Sequence, residues 1–421
     1  MSRTFLFGLI FLPAFLYCQQ DSIHLPVVSL ELLVDEALQR NPEIQAALHQ
    51  MSVVAERVPQ VRGLPDPELT YMRELMPGFN WSEAMMQKIE LMQMFRFPSK
   101  VAAQTDLAQI QAEHAHHDHL EKINEVIGKL KSAYVELWYA QNAESLSRDN
   151  LRLLRQIAEI ARTRYSVGSG PLQDALKASV EVGKAENQLA VLDQRERAAI
   201  AMIRAILDRP AADTLGRAVL PEEPVFTPSI DTLQTLALHL RPMLQHDSMV
   251  VEESRTMLSL ANREYLPDFR VGVQYVTFPT GDFRGWSVIA GITLPFAPWT
   301  LGKASGRVEE ATATVNRSAS AYRSSRSMVL ASVRDLYSRV RSAQQRLRRY
   351  RISLLPEARE SLRASFTAYQ TGTADYLMMI DASRMSIDLS MEALMARMEF
   401  EQALAELERA VGDDHIAAIM N

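Results

Sequence analysis

The 421-residue sequence predicts a mainly helical protein with a small β part, built as two copies of one unit. Three observations carry that expectation. Motifs recur at an offset that drifts only from 200 to 204 residues: Ala37, Leu38, Pro42 and Gln45 return as Ala237, Leu238, Pro242 and Gln245, Leu64-Pro65-Asp66 as Leu266-Pro267-Asp268, and Tyr165-x-x-Gly168 as Tyr369-x-x-Gly372. No proline interrupts the chain between Pro98 and Pro171 or between Pro298 and Pro356, which leaves room for very long helices. Between the recurring motifs lie short stretches with a period of two, the pattern of strands.

Taken in order, Arg3 precedes an apolar run from Phe5 to Tyr17 that is too short to span a bilayer and ends at polar residues. Residues 1–18 therefore read as a secretory signal peptide. Cys18 is either the residue before the cut or a lipidated first residue after it; bulky Tyr17 fits lipid attachment poorly, so removal is the expected outcome. The first copy then covers 19–208 and the second 230–412, with a tail at 413–421. Pro210, Pro221, Pro224 and Pro228 mark 209–229 as a linker that cannot be helical throughout.

Each copy opens with a helical segment, about Leu30 to Arg62 and about Ile230 to Glu264, which Asn41-Pro42 and Arg241-Pro242 should break. Strands follow. In the second copy Phe269, Val271, Val273 and Tyr275 alternate with Arg270, Gly272 and Gln274. Trp286, Val288, Ala290, Ile292 and Leu294 then alternate with small or polar partners apart from Ile289, and Pro279, Thr280 and Gly281 supply the turn. The counterparts in the first copy, about Glu68 to Leu75 and Glu83 to Phe95, alternate less cleanly because Arg73 falls among Leu69, Tyr71 and Leu75.

A long helix leaves each strand pair, and sixty-odd residues of it would span ~100 Å. Leu120, Ile123, Ile127, Leu130, Tyr134 and Leu137 follow a 3,4 spacing, as do Ile387, Met391, Leu394 and Met398, so these read as coiled-coil seams. Gly168 and Gly372 supply the tight turns from which a second long helix returns.

Composition narrows the function. The mature chain holds no stretch of ~18 apolar residues, so a membrane role needs strands. Four strands of roughly ten residues match a bilayer crossing but cannot close a barrel, and an open edge in lipid leaves backbone groups unsatisfied. Several chains must pool strands, and three would give twelve. One cysteine excludes a disulfide scaffold, and 45 Lys+Arg against 51 Asp+Glu leave a net charge of −6 with no field for nucleic acid. No phosphate loop, H-E-x-x-H motif, nucleophile elbow or catalytic thiol is present, so neither an enzyme nor a cofactor is expected.

Three clusters invite other chemistry. His114, His116, His117 and His119 could suit Zn, Cu or Ni, but on one helix His114 and His117 share a face that His116 and His119 do not. A solvated polar face is the favoured reading, with metal contact the lesser one. Met85, Met86, Met92 and Met94, and Met378, Met379, Met385, Met391, Met395 and Met398, read as core packing before they read as soft-metal ligands. Arg339, Arg341, Arg346, Arg348, Arg349 and Arg351 read as a solvated face or as inter-helix ion pairs.

The duplication, LPDPEL before the first strand, KIELMQMFRFPSK at the exit of the second, and the turns RYSVGSGPLQD and AYQTGTADYLMMID together resemble the TolC-like outer-membrane efflux factors. Within them they resemble the branch paired with heavy-metal exporters of RND type. The resemblance covers nearly the whole mature chain. It implies a homotrimer whose strands form a 12-stranded barrel in outer-membrane lipid and whose helices form a periplasmic tunnel, docked to a periplasmic adaptor and an inner-membrane pump. A duct for drug efflux or type I secretion shares that architecture. A soluble periplasmic coiled-coil scaffold or adaptor is the alternative of another class, which the duplication and the strands oppose.

The resemblance also implies roles by position. Tyr165, Gly168 and Gly372 fall in the tip that meets the adaptor. Asp174 and Tyr369 match a hydrogen-bonded pair that ties neighbouring hairpins when the tip is closed, and Asp381 matches an acidic ring at the mouth. Met378 and Ala374 stand where the family has another ring carboxylate and a basic tie, so a gate with fewer polar contacts is expected. Without the resemblance, Asp174 and Asp381 read as solvated carboxylates near helix N-termini.

Overall fold

The computed structural model describes residues 27–75, 84–221, 226–278, 284–295 and 297–412. The predicted signal peptide with Cys18, the C-terminal tail and the turn at Pro279-Thr280-Gly281 lie outside them. Strand β1 (Val27–Val28) leads into α1 (Leu30–Arg40), α2 (Pro42–Ala55) and α3 (Arg57–Arg62). Strands β2 (Glu68–Leu75) and β3 (Ala84–Phe95) follow, then α4 (Pro98–Ser166) and α5 (Leu172–Ile206). After β4 (Arg217–Ala218) the second copy runs α6 (Ile230–Leu240), α7 (Pro242–Arg263), β5 (Phe269–Thr277), β6 (Arg284–Ile292), α8 (Leu301–Arg349), α9 (Leu355–Gln370) and α10 (Tyr376–Val411).

The duplicated motifs build duplicated joints. Ser29 and Ser229 each cap a helix, accepting from the backbone N–H of Leu32 and Thr232 at 3.4 and 3.2 Å. Asn41 caps α2 through Ile44 N–H at 3.0 Å and donates from Nδ2 to the Ile206 carbonyl at 2.7 Å, clamping the end of α5. In the second copy Arg241 takes that place and reaches the Ala410 carbonyl near the end of α10. Leu33 with Ala37 and Leu233 with Ala237 bury into two parallel cores, one per copy. The structure adds a break at Glu56 that the sequence did not signal.

At 69 residues α4 is about 100 Å long. The seam residues Leu130, Tyr134 and Leu137 are fully buried against α5 and the linker. Tyr134 also fixes the short β1–β4 ribbon, donating to the Val28 carbonyl at 2.7 Å and accepting from Val219 N–H at 2.9 Å. Alanines at 133, 140, 143, 158 and 161 on α4 and at 175, 178, 185 and 199 on α5 are buried, and their small side chains let the two helices approach closely. The second long helix is not uniform. A π turn over Tyr350–Leu354 joins α8 to α9, and Pro356, which closes the proline-free run, sits inside the continuing helix. The wide turn places the proline in the first turn of α9, where its missing N–H is not needed.

The four long strands form one antiparallel sheet in the order β2-β3-β5-β6. Its register aligns whole rows: Leu69, Leu91, Val273 and Val288 in one, and Tyr71, Ile89, Tyr275 and Trp286 in the next. Both rows share one face, on which Val288 is 77% and Trp286 76% exposed. The row after them is Arg73, Gln87, Thr277 and Arg284. That explains Arg73: it belongs to a polar row beyond an aromatic one, not to a broken strand. The opposite face carries Thr70, Glu90, Gln274 and Ser287. Strand β6 ends at Ile292, short of the expected Leu294; just beyond it Thr293 donates its N–H to the Asp268 carbonyl at 2.9 Å and accepts from Asp268 N–H through its hydroxyl at 2.7 Å.

At the base of the sheet the two copies lock together. Asp268 of the second Leu-Pro-Asp accepts from Lys100 Nζ at 3.0 and 3.1 Å and from Phe97 N–H at 3.0 Å. Phe97 and Phe269 stack beside this junction at 6.3 Å. Among the described residues no helix is long and apolar enough to cross a membrane.

Candidate functional site at the helical tip

Both hairpins reverse by the same device. Gly168 and Gly372 hold φ of 73° and 76°, a left-handed backbone that β-carbons disfavour. Ser169 N–H reaches back to Arg164 O at 2.8 Å and Thr373 N–H to Ala368 O at 2.9 Å, closing the exposed carbonyls of each preceding helix. A side chain would meet nothing at either glycine, so the requirement is conformational alone. Asp375 then caps α10 by accepting from Met378 N–H at 2.9 Å.

The turns meet over a cavity of about 280 Å³ lined by Arg164, Asp174, Tyr369, Asp375 and Tyr376, among others. Tyr369 is only 2% exposed and packs edge-on to Tyr376 at 6.3 Å, while the Arg164 guanidinium lies 5.0 Å above the Tyr369 ring. Asp174 shares the cavity with Tyr369, but among the described residues no hydrogen bond joins them. Their coupling is electrostatic: burial raises the Tyr369 hydroxyl pKa, the charge of Asp174 raises it further, and Arg164 opposes both. Burial, reinforced by Glu181 and Asp174, pushes Tyr376 up to about 12. Among the described residues its hydroxyl has no hydrogen-bond partner.

Asp381 stands apart from this cavity, exposed on α10 and 3.8 Å from Arg384. Arg384 is the tie that sequence reasoning missed. Its Nη2 and Nε donate to the two carboxylate oxygens of Glu181 on α5, at 2.6 and 3.3 Å. The Glu181 side chain is 12% exposed and that of Arg384 49%. The hydrogen bond from Arg384 holds the Glu181 carboxyl below the ordinary value of 4.5, against the opposing effect of burial. The only sequence signal was like spacing: Glu181 and Arg384 each fall about a dozen residues after their tip glycine.

The tip also presents apolar side chains outward. Tyr165 is 48% and Val167 70% exposed on the first turn, with Leu377 and Met378 exposed on the second. The methionines divide: Met379 and Met398 are core, whereas Met378, Met385 and Met395 lie on the exposed side of α10. The arginine-rich stretch makes ion pairs, Arg339 with Asp335 at 2.8 Å and Arg346 with Glu399 across helices at 2.5 Å. His116 is exposed as expected, but His114, His117 and His119 are partly covered, and burial lowers the pKa of each. A partner absent from the sequence cluster, His246 on α7, stacks on His114.

The outer membrane efflux protein profile matches residues 33–207 and 233–413, both copies of the duplication. The chain belongs to the outer membrane efflux protein family. It is 22% identical over 408 residues to nodulation protein T of Rhizobium leguminosarum bv. trifolii, covering 91% of this chain and 85% of that one. Its fold is similar to the outer membrane protein VceC of Vibrio cholerae, with a TM-score of 0.76 at 16% identity and coverage of 91% and 96%. It is also similar to CusC, with a TM-score of 0.80 at 13% identity and coverage of 93% of each chain. Membership makes the chain a non-enzymatic transport duct of the outer membrane, with its helical part in the periplasm.

Proposed function

We propose that three copies of the chain form a passive exit duct of a tripartite efflux system, docked at its tip to a periplasmic adaptor and an inner-membrane pump. The observation that carries the reading is the sheet. Its exposed apolar face ends in an aromatic row and then a polar one, as a lipid-facing surface does, and its outer strands β2 and β6 have bare edges. Four strands cannot close a barrel alone; three chains supply twelve. In this reading Asp174 and Tyr369 hold the tip closed together with the Glu181–Arg384 tie. Asp381 recurs three times around the axis as a cation-favouring ring. Tyr165, Gly168 and Gly372 shape the adaptor-docking surface, and the pump supplies the energy.

The cargo we assign is heavy-metal cations. Support comes from the strand-exit segment KIELMQMFRFPSK, which resembles that of the heavy-metal branch. Purified protein in planar bilayers should be a trimer with small, cation-selective conductance, and Tyr369→Phe combined with Asp174→Ala should raise it. A monomer without conductance, or a fully soluble mature protein, would refute the duct. A deletion strain should become sensitive to metal ions; sensitivity to drugs alone, or loss of a secreted protein, would reassign the cargo.

A further inference from the structure

Far from the tip, the helical wall brings together groups that the duct does not use. His114 and Asp118 lie one turn apart on α4, and His246 faces them from α7. One ligand atom from each residue lies within 4.8 Å of the other two. The His114 and His246 rings sit 4.0 Å apart between centroids. Imidazole nitrogens and a carboxylate oxygen in one cluster form the donor set of divalent first-row transition metals.

The hydrogen bonding around His246 strengthens this. Its Nδ1 is 3.1 Å from Asp247 Oδ1, and its Nε2 is 3.2 Å from Asp118 Oδ1. A carboxylate only accepts, and Asp247 is the more covered of the two acids, with 20% of its side chain exposed against 58% for Asp118. With an ion on Nε2, the one proton of a neutral imidazole would sit on Nδ1, toward Asp247. A tetrahedral ion with bonds of about 2.0–2.1 Å sets its ligand atoms about 3.3 Å apart, close to the 3.2 Å between His246 Nε2 and Asp118 Oδ1, with the His114 nitrogen within 4.8 Å of both. Asp247 then occupies the outer position that carboxylates take behind metal-bound histidines. Among the described residues, the buried Nε2 of His114 has no hydrogen-bond partner.

We infer that His114, Asp118 and His246 bind one divalent transition-metal ion of the zinc type, with Asp247 orienting His246 and a water at the fourth position. Asp118 is the open side of the site, so the ion enters from solvent. Because α4 belongs to the first copy and α7 to the second, the ion braces the two halves of the wall. The inference is independent of the cargo: a duct for other substrates would keep this site, and a chain without it would still be a duct.

Untagged full-length protein in detergent, stripped with a chelator, should be titrated with Co²⁺ followed by its visible absorption, and with Zn²⁺ by competition. One ion per chain should bind, with the intense bands of a tetrahedral site. His114→Ala and His246→Ala should each weaken binding about 100-fold or more, and Asp247→Asn about 10-fold. His116→Ala, at the exposed neighbour, should change nothing. No saturable binding, or an equal loss in His116→Ala, would overturn the assignment. X-ray absorption on the native zinc-loaded chain needs no variant to fold. It should count two imidazoles and at least one further oxygen, and fewer than two imidazoles would overturn the site.

Discussion

Replacing Arg384 by alanine should loosen the closed tip, because its guanidinium is the direct polar link between α5 and α10 there. The link is two charge-assisted hydrogen bonds to Glu181, at 2.6 and 3.3 Å. Such bonds contribute about 1.5–3 kcal/mol when shielded and about 0–1 kcal/mol when exposed. Glu181 is largely covered and Arg384 half open, which places the tie at about 1 kcal/mol per chain. Three chains opening in concert lose about 3 kcal/mol, a shift of about 100-fold in the closed-to-open ratio. Single-channel recording in planar bilayers reads that shift directly, as a larger open probability at unchanged trimer mass. Arg384→Lys keeps the charge but not the two-pronged geometry and should fall between. An intact trimer of Arg384→Ala with wild-type conductance would refute the reasoning.

Three further outcomes follow from the same structure. Acid should mimic the Arg384 change. The folded pKa of Glu181 lies below its unfolded value of 4.5, so its contribution is complete above that value and is lost as pH falls through the folded pKa; tip opening below about pH 4.5 should vanish in Glu181→Gln. At the base of the sheet, Lys100→Ala and Asp268→Ala should be strongly coupled in a double-mutant cycle by denaturation in detergent, by about 1–3 kcal/mol, whereas additive effects would mean the junction is not an interaction. On the apolar face, Val288→Arg should cost about 2–4 kcal/mol of barrel stability, while Ser287→Arg on the opposite face should cost far less, as measured by heat-induced trimer dissociation.

Most of the architecture was legible because repetition and proline placement are one-dimensional signals. The Leu-Pro-Asp repeat precedes a strand in each copy, the glycine turns reverse each hairpin, and Pro98 opens α4 while Pro171 precedes α5. Arg73 was harder: its meaning lies in the row with Gln87, Thr277 and Arg284, which only the register supplies. The π turn that carries the helix past Pro356 left no signal in the sequence. At the tip, the glycines and Tyr369 were readable, but Arg384 was not, because a pairing between residues 203 positions apart leaves no local trace. His246 escaped notice in the same way, being a single histidine on a different helix from the cluster it joins.

The strand count has a consequence for assembly. With β2, β3, β5 and β6 each antiparallel to its neighbour, an even number of strands leaves β2 and β6 running in opposite directions. Wherever β6 of one copy meets β2 of the next, the seam is therefore antiparallel too, and the hydrogen-bond pattern passes through it without a change of kind. A cylinder closed as proposed would have no weak stave, whereas a single copy has two outer strands, each paired on one side only among the described residues, and one exposed apolar face. In the proposed trimer, pairing the two borders and recruiting the neighbouring copies would be a single step.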